Sequence, residues 1–532
     1  MKESLKGIAT AALVFALSAE AFADAEPRTG LETDFKVRLG GFAEGERDLG
    51  AGNTESTEEG FLDGQAVLHW QFSPKASVFF RGQGFVPTDE LVITDENAPR
   101  NSDSYLGVRE LWADYRGLTS FPGEVIRVGL QRLRDPDGQW FDRDIESIRW
   151  IFDTTLLQGD LGVAESFRTW RTDGSEIPTT DRDRAYLYGR LGSQIRPGHF
   201  VGARAIHGFD HSDPAEEAAS NRADPKLDRR QYTWVDFYAH SNYYAETEKP
   251  GFSYWVDLSV LSGTREDYQG PTATSPAFVG SDSVLGWSGD LGLRWRLPTA
   301  YPIQVGGALA YGSGSDDGQQ NNRYEQTGLH SNRSRYTGTR SILYRYNEAY
   351  QPDIGNMRVG SVYASIPQER WDASFVHHWF TRNETRQGVI TDGIDVQPLP
   401  GLEDLGEGND LVVAWYFGAP RTTTLANESE DNRSSLRLRA SQFSPGRAYG
   451  SDVDDQYRVT MELTLCTELG PLQSGPDRRM DVCVDAARLR CCAGVHRGPR
   501  SGHRQKLFTD AEGLRGACST CRRTCTRGAG TT

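Results

Sequence analysis

Arginine recurs along this chain at spacings that suit the handling of an anion. Arg437 and Arg439 alternate with Leu436 and Leu438, and Lys36 and Arg38 alternate with Phe35, Val37 and Leu39. Arg109 is spaced in twos from Tyr105, Gly107 and Ala113, Arg132 and Arg134 end another run, and Arg333 and Arg340 lie in a long polar stretch. In a strand, successive side chains point to opposite faces, so such spacing collects guanidinium groups on one side. Arginine grips carboxylates in a fixed fork geometry, and low-dielectric walls focus the field of several cations onto an anionic solute. The same residues could instead hydrate a wide lumen or pair with acids inside it.

A second group is acidic: Asp142, Asp144 and Glu146 beside Trp140, with Asp173 after Trp170. Paired carboxylates beside aromatics can hydrolyse glycosides. Arg134, Arg143, Arg149 and Arg171 are interspersed among them, however, which favours ion pairing. A third group is Cys518-x-x-Cys521-x-x-x-Cys525, with His503 upstream. It has three thiols where a structural zinc site uses four ligands, so no metal is expected. His377 and His378 are adjacent and point to opposite faces of a strand. No phosphate-binding loop, nucleophile elbow or HExxH pattern occurs, and no cofactor or nucleic-acid partner is implied.

The elements that must position these residues are strands. Leu285, Trp287, Leu291, Leu293 and Trp295 alternate with Ser288, Asp290, Gly292, Arg294 and Arg296, and Tyr457–Leu465 alternates likewise. Candidate strands fall near 35–47, 61–72, 76–86, 104–116, 124–134, 148–158, 160–172, 185–196, 200–209, 231–245, 252–265, 284–297, 303–313, 357–366, 370–381, 410–418, 435–443 and 456–465, eighteen in all. Many reach about ten residues, the length of a tilted membrane-spanning strand. Short connections such as Ser73-Pro74-Lys75 alternate with polar ones such as 87–103, 210–230, 314–356 and 382–409. Aromatics close several strands, as girdles at a membrane interface would. An all-β, 18-stranded antiparallel transmembrane barrel with long extracellular loops and short periplasmic turns is expected. Charge on a lipid face costs roughly 2–4 kcal/mol at mid-bilayer, so strand arginines opposite leucines should face the lumen. Arg132 shares parity with Ile126, Val128 and Leu130, which requires either a bulge or a strand that has left the bilayer.

Lys2, Lys6, the apolar run from Ile8 to Leu17 and Ala21-Phe22-Ala23 have the layout of a secretory signal peptide. All seven cysteines lie at or after Cys466, and basic residues outnumber acidic ones 12 to 6 from there on, against 46 to 68 before it. The chain therefore divides into a signal at 1–23, a barrel at 24–465 and a foreign-looking, Cys- and Arg-rich tail at 466–532. The tail reads as an unstructured extension, such as an altered reading frame would produce. The overall charge of -16 averages an acidic barrel with this basic tail.

The run SYLGVRELWADYRGLTSFPGEVIRVGLQRLRDPDGQWFD at 104–142 resembles the alginate export porins of the bacterial outer membrane. So do RDLG at 47–50, QTGLHSNRSRYTGTRS at 326–341, NDLVVAWYF at 409–417 and LRLRASQFSPGRAYG at 436–450, in the same order. The resemblance implies a monomeric 18-stranded barrel in the outer-membrane bilayer, without catalysis. Its function would be passive, anion-selective export of alginate, a linear polyuronate, with a periplasmic secretion complex as partner. It implies basic pore positions at Arg38, Arg109, Arg132, Arg333, Arg437, Arg439 and Arg458, and acidic ones at Asp142 and Asp173. A second-strand basic residue of the family has no counterpart; Gln65 or Ala66 stands there, and Arg81 could compensate one strand on. Ile342 replaces a family Arg and Thr169 a family Glu. Gating loops would correspond to 87–103 at the outer mouth and 418–434 at the inner one. The family's terminal Phe is missing, the last strand running instead to Leu465 and then Cys466. Two rival readings are a porin for small sugar acids or other anions, and a barrel hydrolase using Asp142 and Asp173.

Overall fold

A computed structural model describes residues 30–469 apart from 53–55, 88–103, 122, 155, 180, 215–225, 242, 244–249, 270–276, 316–321 and 418–432. The signal, the gating-loop candidates apart from Pro87, Arg433 and Ser434, and all of the tail beyond residue 469 thus lie outside the described residues. The strands are β1 (Gly30–Glu44), β2 (Thr57–Ser73), β3 (Ala76–Pro87), β4 (Tyr105–Arg116), β5 (Glu124–Arg134), β6 (Asp142–Asp153) and β7 (Leu157–Glu165). They continue with β8 (Arg184–Arg196), β9 (His199–Asp210), β10 (Asp228–His240), β11 (Gly251–Gln269), β12 (Ala277–Arg296) and β13 (Gln304–Gly312). Two short strands, β14 (Arg333–Ser334) and β15 (Leu343–Tyr344), pair only with each other. The wall resumes with β16 (Met357–Pro367), β17 (Trp371–Arg382), β18 (Asp404–Phe417), β19 (Ser434–Pro445) and β20 (Gln456–Leu469).

Eighteen of these form one antiparallel sheet, and β1 pairs with β20 as well as β2, so the sheet closes on itself. Closure leaves no unpaired edge, which is what lets strands cross hydrocarbon. Parity explains which face meets lipid. Leu285, Trp287, Leu291, Leu293 and Trp295 are exposed while Asp290 and Arg294 between them are buried. Leu436 and Leu438 on β19, and Tyr457, Val459 and Met461 on β20, likewise face outward, with Arg458 inside.

The eighteen expected wall strands are present, with bounds shifted by several residues at about half of them; β1 starts at Gly30, β10 ends at His240 and β12 starts at Ala277, and four further shifts bear on the site. The sixth begins at Asp142 rather than 148, because its charged first turn faces the lumen and finds partners there. The seventh ends at Glu165; the polar stretch after it leaves β7. β18 starts at Asp404, ahead of the apolar run at Leu411. β20 does not stop at the expected 465/466 boundary: it runs through Cys466 to Leu469, with Lys36 opposite Cys466 and Thr33 opposite Leu469.

Two irregularities shape the inner surface. A bulge on β4 shifts the register between Arg81 and Gly82, so Arg109 keeps the inward parity of Tyr105 while Ala113 falls on the outer face and Trp112 turns in. Above the Leu111–Leu130 pair, β5 parts from β4. The segment around Arg171 takes its place: Arg171 bridges Gly107, and Val108 N–H donates to the Trp170 carbonyl. That parting carries Arg132 and Arg134 into the lumen and answers the parity question left by the sequence.

The lumen is partly filled by the chain itself. Residues 322–356 run inward between β13 and β16. Their tip reaches the short-turn end, where Arg340 N–H and the Ser341 hydroxyl donate to Asp372, and the Arg340 guanidinium donates to the Gln368 carbonyl. Gly338 at the tip has φ +78, and a Cβ there would collide with Gln304 and Arg294. Only glycine passes at so close an approach in a left-handed conformation.

Candidate functional site

The fill is lopsided. On one side, the inward segment packs against β6–β18 in a large buried cluster that includes Trp140, Tyr186, Trp234, Tyr324, Tyr346 and Tyr350. Arginine is cement there. Arg204 on β9 contacts Asp135 at 3.0 Å, Asp137 at 3.1 Å, Asp236 at 2.8 Å and Asp257 at 2.7 Å. Asp290 on β12 accepts from Arg345 at 2.7 Å, from the Tyr346 hydroxyl at 3.0 Å and from the Gln139 amide at 2.8 Å, and also from the Trp255 indole. Arg345, Tyr346 and Gln139 thereby tie the inward segment and the 135–141 loop to the wall, where Trp255 on β11 completes the set. Burial raises the Asp135 carboxyl above its ordinary range even though Arg204 and Arg190 pull it down.

The other side stays open. A cavity of about 250 Å³ lies between the inward segment and the wall made by β1–β6, β19 and β20. Among the described residues twelve basic ones line it: Lys36, Arg38, Arg81, Arg109, Arg132, Arg134, Arg333, Arg335, Arg340, Arg437, Arg439 and Arg458. Three acids join them, Asp142, Glu348 and Glu462. Other carboxylates pair with lining arginines without lining the cavity themselves. Asp63 pairs with Arg38, Glu110 lies 3.3 Å from Arg81, Asp144 2.5 Å from Arg109 and Glu44 3.7 Å from Arg458. These acids hold the guanidinium groups from neighbouring wall positions without lining the cavity themselves, so bases outnumber acids in its lining.

Of the nine residues singled out from sequence, eight line this cavity: Arg38, Arg109, Arg132, Asp142, Arg333, Arg437, Arg439 and Arg458. Asp173 is not among the lining residues; it accepts from Arg171 at 2.5 Å, on the segment that pairs beside β4. Asp142 is held by Arg132 at 2.6 Å, by Arg134 at 3.6 Å and by the Ser331 hydroxyl at 2.8 Å. Both carboxylates are bound to guanidinium, which is the pairing that the intermixed Arg and Asp suggested. Gln65 and Ile342, the departures from the family pattern, also face the cavity, and so does Arg81. Thr169 donates to the Ser175 carbonyl instead.

Sequence reasoning missed Arg335, Glu348 and Glu462. Arg335 was readable, being two residues from Arg333; Glu462 shares the parity of Arg458 on β20. Glu348 had no periodic signal, since it sits on an irregular loop. Toward the long-loop end, Phe61 stacks on Phe85 at 6.0 Å and Phe85 on Tyr105 at 5.5 Å, with Arg171 3.6 Å over the Tyr105 ring and Arg458 5.1 Å over Phe42. This stack stiffens the wall beside the arginines, and Phe42, Phe61, Phe85 and Tyr105 line the cavity with them. His378, buried, bonds Ser361 and Asp410, while His377 faces the opposite side, so the pair has no shared ligand geometry.

A closed antiparallel barrel with an apolar outer belt and an off-centre, basic lumen is a porin-type channel of the outer membrane. Solved structures with the same fold include OccK9 (OpdG) of Pseudomonas aeruginosa, at TM-score 0.50 and 11% identity over 82% of this chain and 98% of that one. OccAB2 of Acinetobacter baumannii matches at TM-score 0.50 and 10% identity, over 82% and 98%. At such identity they show the fold alone. Residues 31–460 match the alginate export family, and this chain belongs to it. The alginate production protein AlgE of Pseudomonas aeruginosa is 34% identical over 83% of this chain and 93% of its own length. Its counterpart in Pseudomonas syringae pv. tomato is 36% identical over 78% and 89%. The family is one of export channels, so the hydrolase reading of Asp142 and Asp173 falls away.

Proposed function

We propose that this protein exports alginate passively across the outer membrane, through the opening lined by Arg38, Arg109, Arg132, Arg333, Arg437, Arg439 and Arg458. The observation that carries the reading is the lining itself: twelve basic residues against three acidic ones, in a chain whose acids outnumber its bases 74 to 58. Each uronate carboxylate of the polymer would exchange one guanidinium for the next. Spread over many weak positions, such exchange lowers the entry barrier without trapping the chain. No covalent step and no coupled energy source is involved; synthesis on the inner side would supply the gradient. The periplasmic partner is a secretion complex that delivers polymer to the short-turn end, and the barrel works as a monomer.

The test is conductance in a planar bilayer. Wild-type channels should prefer chloride to potassium and be blocked by oligouronate. Changing both Arg109 and Arg437 to Glu should reverse the preference and abolish block. A wild-type channel that prefers cations would overturn the proposal.

A further inference from the structure

Glu348 differs from the other acids around the opening. Asp63, Glu110 and Glu44 sit on the wall beside Arg38, Arg81 and Arg458, their cross-strand partners, whereas Glu348 comes from the inward segment. One of its oxygens accepts from Arg333 at 2.8 Å, and the other lies 3.7 Å from Arg439. Burial pushes its carboxyl up, but Arg333, Arg439 and Arg458 outweigh that and hold it below its ordinary range.

Its position does not depend on those arginines. The preceding residue, Asn347, has φ 78, and its amide donates to Asp410 at 3.2 Å, to Ser441 at 3.0 Å and to the Gln442 carbonyl at 3.1 Å. Glu348 N–H donates to Asp410 at 3.1 Å, Ala349 N–H to Ser441 at 2.9 Å and Tyr350 N–H back to Asn347 at 2.9 Å. A turn bolted to β18 and β19 thus presents one carboxylate at a fixed point between two guanidinium groups. A sugar acid passing through would offer the same chemistry at that point.

We infer that Glu348 is a resident stand-in for a substrate carboxylate, competing with each uronate for Arg333 and Arg439 and so setting how briefly the channel holds the polymer. The inference rests on the export reading above and makes Glu348 a specificity-determining residue within it. Without the competitor, two or more arginines would close on a uronate with nothing to displace it, and a transport site that binds too well stops conducting.

Single-channel recording with a short oligouronate tests this, because only inserted channels are read. Glu348→Gln should lengthen the blocking events by about tenfold, a modest change in off-rate of the kind that tunes affinity. Glu348→Asp, which keeps the charge, should stay near wild type, and a neutral oligosaccharide of equal length should show no difference among the three. Blocks of equal or shorter duration in Glu348→Gln, with wild type blocked normally, would overturn the inference alone. A wild-type channel that oligouronate does not block would overturn the export reading and this inference together.

Discussion

The two halves of the lumen use the same residue pair to opposite ends. In the filled half, Arg204 alone meets four aspartates, and Arg345 shares Asp290 with three other donors. Each guanidinium is surrounded, and the result is adhesion between the inward segment and the wall. In the open half, guanidinium groups outnumber the lining carboxylates, and Asp63, Glu110 and Glu44 pair with theirs from the wall without lining the cavity. The difference teaches that arginine content alone does not make an opening: an arginine enclosed by carboxylates is cement, whereas one paired from beside on the wall still lines the cavity.

The comparison can be broken most directly at Asp290. Replacing it by Ala leaves Arg345 buried without its carboxylate, and removing one partner of a buried pair costs about 3–5 kcal/mol. The unfolding midpoint in detergent, followed by heat-modifiable migration, should fall, and conductance should rise as the inward segment loosens. An unchanged midpoint would show that the filled half is not cemented as described. The next effect tests the wall itself. Met461→Arg places a charge on the lipid face, at a cost of about 2–4 kcal/mol near mid-bilayer, whereas Thr460→Arg, one residue away, faces the cavity. Insertion should drop for the first only; equal insertion would mean the parity of β20 is misassigned. The smallest change expected is Thr339→Ala. Thr339 shares hydroxyl contacts at 3.2 Å with Thr337 and 3.1 Å with Ser374 at the inner end of the segment. Its loss should lower stability by about 1 kcal/mol, with ion preference unchanged, and any shift in reversal potential would contradict the separation of the two halves.

Parity made much of this legible. Arg437 and Arg439 needed only the leucines between them, because a lipid face tolerates no charge. Arg109 was placed by the same rule, but extending the rule to Ala113 failed at the β4 bulge, which no residue type announces. Arg132 could not be placed because its strand leaves its neighbour, a tertiary event with no local signature. The start of β6 was hidden for a related reason: Asp142-Arg143-Asp144 reads as a loop until the lumen arginines that satisfy it are known. Glu348 lay furthest from view, since its position follows from Asn347 reaching two distant strands.

The seam between β1 and β20 carries a consequence in time. Glu44 meets Arg458 and Thr33 meets Leu469, so the first described strand finds its second neighbour only when the last has been made. Pairings between remote parts of a chain form late, after the entropy of closing the intervening loop has been paid. The inward segment, with its buried Arg323, Glu325, Arg345 and Glu348, is synthesised well before that moment and is flanked by β13 and β16. It is therefore enclosed as the sheet curls, in the way a ship is built inside its bottle. An error in docking it would be sealed in by the final pairing, so the order of manufacture is itself a constraint that this sequence must satisfy.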